Sequence, residues 1–209
     1  MSVQVLPYGD RALLVEVGDT ADVVAYVDAL RESEPPGLAD VVPAARTVLV
    51  VAGTPRAVPA LRQALCSLTP GRAAAHAHDD EEVIEIPVRY DGPDLEDVAR
   101  LTGLSERAVV EAHTSSEWRV AFGGFAPGFG YLVTDHDRLH VPRRDSARTA
   151  VPAGAVGLAG EYTGVYPRES PGGWQLIGTT DAPMWDLDRE PPALLRPGAR
   201  VRFVDGGQG

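Results

Sequence analysis

The glycine- and aromatic-rich stretch from Phe122 to Gly178 constrains the fold more than any other part of this 209-residue chain. Fifteen of the 22 glycines lie after residue 120, and seven aromatic side chains stand directly among them. Glycine destabilises the interior of a helix or strand, so this density is typical of tight corners. Short apolar runs between the glycines predict strands. We therefore expect a closed or nearly closed β structure with a pocket or groove in this half.

The charged residues narrow the chemistry that the chain can perform. Asp and Glu number 30 against 19 basic residues, all of them arginine, for a net charge of -11. Without lysine there is no P-loop lysine, no Schiff-base lysine and no attachment point for biotin. A bound anion must therefore be held by arginine, by backbone N–H groups or by hydroxyls. The acidic balance also argues against nucleic acid as a partner.

Other features of the composition indicate where the protein works. No apolar run approaches the roughly 18 residues that a membrane span needs. The first residues lack the basic-then-apolar layout of a signal peptide, and the single cysteine, Cys66, permits no internal disulfide. We expect a cytoplasmic protein without membrane association.

The first 75 residues predict a separate α+β domain. Strands are expected at 3–6, 12–17, 38–42 and 47–51, and Asp19 or Thr20 can cap a helix over about 21–32. A second helix begins near Ala57, because Pro59 is tolerated only in a first turn. The order β-β-α-β-β-α predicts a two-layer sandwich with both helices on one face.

Residues 69–82 have no periodicity and predict a linker, so the second domain is placed at 82–209. His76 and His78 lie in this segment, but two histidines without a third ligand are weak evidence for a metal, and no metal site is predicted. A strand at 83–89 precedes a helix from Leu95 that Gly103 ends, and Ser105 caps a second helix. We expect this helical pair to cover one end of a barrel, since its charges do not suit DNA.

Three groups of side chains are candidates for chemistry. Arg143, Arg144 and Arg148 form either a surface cluster or a site for a carboxylate, carbamate or phosphate, whose planar oxygens match guanidinium groups. His113 is either a general base or a residue that stabilises a helix C-terminus. Glu161, which lies between two glycines in the run AGEYTG, is either a solvated charge or a carboxylate that polarises or orients a substrate. We expect the arginines to face solvent and to contribute little to folding.

The run Phe125-Ala126-Pro127-Gly128-Phe129-Gly130-Tyr131-Leu132 resembles the G-F-x-P-G-F-x-Y-L signature of the family formed by the B-type subunits of 5-oxoprolinase. That family is also labelled allophanate hydrolase subunit 1, and it includes an inhibitor of a sporulation histidine kinase. The resemblance continues in order through most of the chain. It includes the segments 8–15, 113–114, 142–144, 151–157, 163–167, 170–178 and 197–203.

The resemblance implies a fold and a set of partners. The family's fold is a β-β-α-β-β-α sandwich followed by an all-β cyclophilin-like barrel. Its activity implies a small-molecule substrate: the B-type chain works with homologues of the C-type and A-type subunits in an ATP-dependent enzyme that opens 5-oxoproline to glutamate. The chain alone is then expected to be inactive. A carboxyltransferase or allophanate hydrolase-type role in urea degradation, and inhibition of a histidine kinase, remain as alternatives.

Together, residues and resemblance predict a site at one mouth of the barrel, where the 125–131 turn, the 143–148 arginines and the 160–166 loop converge. His113 and Glu161 are the predicted catalytic residues. The predicted substrate-binding residues are Phe125, Phe129, Tyr131, Arg143, Arg144, Arg148, Thr163 and Tyr166.

Three positions depart from the family pattern. Tyr162 stands where the family has Gln, and Thr179 and Asp181 replace its Arg and Pro. We expect these positions to flank the pocket and to affect the choice of substrate.

Overall fold

The computed structural model describes residues 3–68 and 83–207. The chain divides into two compact units, Met1–Asp80 and Glu81–Gly209. The predicted linker at 69–82, with His76 and His78, lies outside the described residues. No helix in the described ranges is long and apolar enough to cross a membrane.

The N-terminal unit has the predicted order of elements. They are β1 (Gln4–Tyr8), β2 (Ala12–Glu16), α1 (Thr20–Ser33), β3 (Leu38–Pro43), β4 (Thr47–Ala52), a 3-10 turn (Pro55–Ala57) and α2 (Val58–Ser67). The four strands form one antiparallel sheet in the order β1-β2-β4-β3. The Asp19 carboxylate caps α1 by accepting from the N–H of Asp22. The 3-10 turn is the one element here that the sequence did not predict.

Both helices of this unit pack on the same side of the sheet. Alternate residues of β2 and β4 are buried, and they form a single apolar cluster with residues of α1 and α2, among them Tyr26 and Leu61. A sheet covered on one face by helices is the two-layer sandwich that the strand and helix order predicts.

The C-terminal unit is built from strands and two helices. They are β5 (Ile84–Val88), α3 (Leu95–Thr102), α4 (Glu106–Ser115), β6 (Trp118–Gly123), β7 (Gly130–Val133), β8 (Arg148–Val151), β9 (Ala155–Ala159), β10 (Tyr162–Val165), β11 (Ser170–Gly172), β12 (Gln175–Thr179) and β13 (Arg200–Asp205).

Seven of these strands form a nearly closed barrel. They follow the order β12-β9-β10-β7-β6-β13-β5, with only β13 and β5 parallel. The backbones of Arg89, just after β5, and Thr179, at the end of β12, exchange two hydrogen bonds of 2.8 Å. This bridge joins the two ends of the sheet. Strands β8 and β11 form a separate pair.

The two helices contribute their apolar faces to the interior of the barrel. Leu95 and Val98 of α3 and Val109 of α4 belong to the same core cluster as Val156, Leu158 and Val165 of the strands. As predicted, Gly103 ends α3 in the left-handed region, with a φ of 71°, and the Ser105 hydroxyl caps α4.

Candidate functional site

An aromatic wall covers the outer face of β7, β9 and β10. Its rings touch one another at centroid distances of 4.4–6.4 Å, mostly edge to face. We call this set the aromatic wall: Phe122, Phe125, Phe129, Tyr131, Tyr162, Tyr166 and Trp174. Four of its members are predicted substrate-binding residues, and the structure brings these four together.

Small residues in the strands make room for these rings. On β9, Ala155 and Ala159 face the wall, whereas Val156 and Leu158 between them face the barrel core. A Cβ on Gly164 would lie 3.1 Å from the Phe129 ring and 3.2 Å from the Trp174 ring. Glycine at this position therefore lets the rings lie directly against the strand backbone.

Phe125 presents its ring from an unusual backbone conformation. Its φ is 64°, a region that non-glycine residues rarely occupy. The N–H of Ala126 donates to the carbonyl of Gly124 at 2.6 Å, which closes a three-residue turn around Phe125. The ring is 56% exposed although it contacts Phe129 and Tyr166. The turn thus holds an aromatic ring out in solvent at the edge of the wall.

The three predicted arginines are in two different situations. Arg144 Nη1 and Arg148 Nη2 both donate to Oδ1 of Asp94, at 2.5 and 2.7 Å. Asp94 is buried, and its Oδ2 accepts from the N–H of Leu176 at 2.7 Å. Its carboxylate thus ties the arginine segment to β12. Our expectation that Arg144 and Arg148 face solvent and contribute little to folding is wrong, because both are partly buried and pair with this buried carboxylate.

Arg143, by contrast, is exposed. Burial raises the pKa of Tyr166, and the nearby positive charge of Arg143 acts against that rise. Arg143 is therefore the exposed member of the arginine segment, and its charge acts on the aromatic wall at Tyr166.

His113 and Thr163 lie on the opposite side of the strands, inside the barrel. The His113 ring stacks on Phe203 at 4.3 Å and has no exposed surface. Its Nε2 lies 2.9 Å from the Thr163 hydroxyl, which donates to the Gly157 carbonyl, and its Nδ1 lies 2.8 Å from the Tyr90 hydroxyl. Because the Thr163 hydroxyl donates its proton to the Gly157 carbonyl, it can only accept a hydrogen bond from His113. We therefore assign the imidazole proton to Nε2, and Nδ1 accepts from the Tyr90 hydroxyl. The structure does not bring His113 or Thr163 together with the aromatic wall.

The environment of His113 keeps its ring neutral. Burial lowers its pKa to about 3, and both ring nitrogens already have partners. Inside a packed core the imidazole holds β10 through Thr163, and so holds the wall residue Tyr162 on the other face of that strand and Tyr166 directly after it.

We expect His113 to make stability sensitive to acid. Its folded pKa is below the value of the unfolded chain, about 6.5, so its contribution is complete above pH 6.5 and is lost as pH falls toward 3. Between pH 6.5 and 4.5 this loss should reach about 2 kcal/mol. Urea unfolding across this range should show a flatter pH dependence for His113→Gln than for the unaltered chain. His140→Gln, which changes an exposed histidine, is the control and should keep the pH dependence of the unaltered chain. If the stability of His113→Gln also fell with pH as steeply as that of the unaltered chain, this account would be contradicted.

Glu161 lies beside the wall at a shallow open pocket. Val141 and Gly160 pair as a β-bridge, which places the segment leading to Arg143 alongside the turn that carries Glu161. The pocket has a volume of about 500 Å³ and is lined by His140, Val141, Pro142, Gly160, Glu161 and Tyr162. A carboxylate at its edge could orient a polar group of a small ligand.

The three departures from the family pattern fall in two places. Tyr162 lines the pocket and contacts Phe122 and Tyr131. Thr179 and Asp181 instead lie where the barrel closes: the Thr179 hydroxyl donates to Asp91, and Asp181 pairs with Arg89 at 2.7 Å. Of the three, Tyr162 is therefore the one placed to influence a ligand in the pocket.

Asp94 and Tyr90 are the main residues of this region that sequence reasoning missed. Asp94 directly precedes α3, where an aspartate is an ordinary helix cap. Its side chain makes no capping bond and reaches the arginines instead. Its one unusual feature, a partner 50 residues away, leaves no local signal in the sequence.

A family model described as "Carboxyltransferase domain, subdomain C and D" matches residues 3–195. The chain is 38% identical to the 5-oxoprolinase B subunit of Bacillus subtilis over 220 residues, which cover 96% of this chain and 92% of the relative. It is 53% identical to the 5-oxoprolinase B subunit of Escherichia coli O157:H7 over 133 residues, covering 62% of this chain and 61% of that protein. That match spans less than two thirds of the Escherichia coli protein.

The chain is also similar to a protein with a different name and to a solved structure. A 114-residue segment is 42% identical to the urea amidolyase of Saccharomyces cerevisiae, covering 51% of this chain and 6% of the yeast protein. The crystal structure of a protein named TTHA0988 superposes with a TM-score of 0.73 at 40% identity, covering 95% of this chain and 41% of the larger chain.

Proposed function

The chain belongs to the family of 5-oxoprolinase B subunits, and on that basis we propose that it is the B-type subunit of an ATP-dependent enzyme that opens 5-oxoproline to glutamate. The observation that carries the proposal is the 38% identity to the Bacillus subtilis protein over 96% of this chain. The proposed partners are homologues of the C-type and A-type subunits of that enzyme, called the C-type and A-type homologues below.

The candidate site suits a small planar carboxylate. A five-membered lactam presents two flat faces and one carboxylate group. The Phe125 ring is 56% exposed and offers an aromatic surface for such a ring, with the buried rings of Phe129 and Tyr166 packed behind it. Arg143, an exposed arginine whose charge acts on Tyr166, supplies a cation for the carboxylate. Tyr131 and Phe129 support this surface, and Glu161 lies where it can orient the lactam amide.

The same residues suit a triphosphate poorly. Arg144 and Arg148 form ion pairs with Asp94, so their charges are partly neutralised and are not available to bind phosphates. The sequence has no lysine and no P-loop. We therefore propose that ATP binds to another chain of the complex and that this chain binds the lactam.

Activation of the lactam explains why ATP is needed. Resonance makes the amide carbon unreactive toward water. Attack of the lactam oxygen on the γ-phosphorus would release ADP and convert that oxygen into a phosphate ester. Water could then add to the carbon, and cleavage of the C–N bond would leave an acyl phosphate. Hydrolysis of this acyl phosphate by a second water would release phosphate and give glutamate. In this scheme His113 and Thr163 lie in the barrel core, away from the substrate, and their role is to hold β10 in position.

The match to urea amidolyase favours a second candidate, a carboxyltransferase or allophanate hydrolase-type role in urea degradation. A carbamate or allophanate is also a small planar anion, so the site alone does not separate the two. A comparison of 5-oxoproline with urea as the substrate of the assembled proteins does.

The isolated chain should show no ring opening, because its site is shallow and lacks a nucleotide motif. Affinity purification from cells that co-express the C-type and A-type homologues should recover the C-type homologue at near-equal stoichiometry, and the mixture should hydrolyse ATP when 5-oxoproline is added. Robust turnover by this chain alone would refute its assignment as one part of a heteromeric enzyme.

A further inference from the structure

The candidate site is open, and its exposed edge continues into a second apolar surface. Phe125, which is 56% exposed, stands at the end of the wall. Three residues later, Gly128 adopts a φ of 85° and packs closely against the 184–195 segment. A Cβ added to Gly128 would lie 3.0 Å from both the Met184 carbonyl oxygen and Trp185 Cβ. The signature turn and this segment are therefore adjoining loops.

The adjoining loop presents large apolar side chains to solvent. Trp185 is 42% exposed and Leu187 is 81% exposed, although Met184 beside them is buried in the core. Exposed tryptophan and leucine on one short loop are uncommon on a surface that meets only water, and aromatic residues are enriched in protein interfaces. We call Phe125, Trp185 and Leu187 the docking face.

Acidic residues surround this face. Asp188 and Glu190 are exposed on the same loop. Its one arginine, Arg189, turns toward the loop backbone and donates to the carbonyls of Pro183 and Pro192. A second copy of this chain would repel the acidic rim, because each copy carries a net charge of -11. A partner with an apolar centre and a basic rim is the complement.

We propose that the docking face binds the C-type homologue, which completes the candidate site by covering the exposed ring of Phe125 at the edge of the aromatic wall. The inference rests on the proposed function and adds the place of assembly to it. Attack on an activated lactam carbon by one selected water molecule requires a site that excludes bulk solvent. The shallow pocket provides no such enclosure, so a second protein must supply the missing wall.

The test measures the affinity of the unaltered chain and its variants for the purified C-type homologue by titration calorimetry. Trp185→Ala/Leu187→Ala should weaken binding at least ~30-fold, because interface aromatics buried at the centre carry much of the binding energy. Leu101→Ala, a 40% exposed apolar residue on α3, is the matched control and should bind normally. Asp188→Arg/Glu190→Arg should slow association severalfold and weaken its dependence on salt.

Activity gives a second readout. Because neither Trp185 nor Leu187 lies in the candidate site, a large excess of the partner should restore turnover to the double variant. Equal affinity of the double variant and the Leu101→Ala control would overturn the docking face and leave the proposed function standing. Failure of the unaltered chain to bind the C-type homologue would instead remove the proposed function, and the docking face with it. Loss of a self-associated form in the double variant would identify the face as a contact between copies, against this proposal.

Discussion

Replacing Asp94 by alanine should destabilise the C-terminal unit by about 3–5 kcal/mol, the usual cost of removing one member of a buried ion pair. Its carboxylate is 2% exposed and accepts from Arg144, Arg148 and the N–H of Leu176. Without it, two neighbouring guanidinium groups face each other with no opposite charge between them. Urea unfolding of the variant and of the unaltered chain measures the difference.

Two further variants separate charge from shape at this position. Asp94→Asn keeps an acceptor for Leu176 but removes the charge, so its stability should lie between those of the alanine variant and the unaltered chain. Asp97→Ala removes an exposed carboxylate from the first turn of the same helix, where it pairs with Arg100 at the surface, and should change stability little. If Asp94→Ala unfolded at the same urea concentration as Asp97→Ala, the proposed anchor would be wrong.

The second large effect concerns activity. In the assembled complex, Arg143→Ala should lower kcat/KM for 5-oxoproline by about 10- to 150-fold, which corresponds to about 1.5–3 kcal/mol for a lost charged hydrogen bond. Most of the loss should be a higher KM, because the substrate carboxylate keeps its charge throughout the reaction. Thermal stability should be unaffected, since Arg143 is exposed.

Comparison with two other arginines makes this result specific. Arg144→Ala should reduce stability and activity together, because Arg144 pairs with buried Asp94. Arg107→Ala, on the exposed surface of α4, should change neither. Full activity of the Arg143→Ala complex would move the carboxylate site away from the aromatic wall.

The order of the elements was predictable because it depends on local patterns. Alternating apolar residues, the cap at Asp19 and the stop at Gly103 each act within a few residues, and each has the predicted role. The concentration of glycines among aromatic residues likewise indicated a closed or nearly closed β structure. At Gly164 a side chain would collide with the rings that the wall requires.

The distribution of the site residues between the two faces of the sheet was harder to predict. Thr163 and Tyr162 are neighbours in sequence but point to opposite sides of β10, and the sequence does not state which side faces the barrel core. The pairing of Asp94 with Arg144 and Arg148 spans 50 or more residues. Only the fold brings these residues together, so the sequence suggested three equivalent arginines where the structure has two anchored ones and one exposed one.

The formation of glutamate from 5-oxoproline by the purified mixture of this chain with its C-type and A-type homologues tests the proposed function most directly. We expect glutamate to appear in step with ATP hydrolysis and only when this chain is present, with no comparable reaction when urea replaces 5-oxoproline. Undiminished glutamate formation after omission of this chain, or turnover of urea in place of 5-oxoproline, would contradict the account.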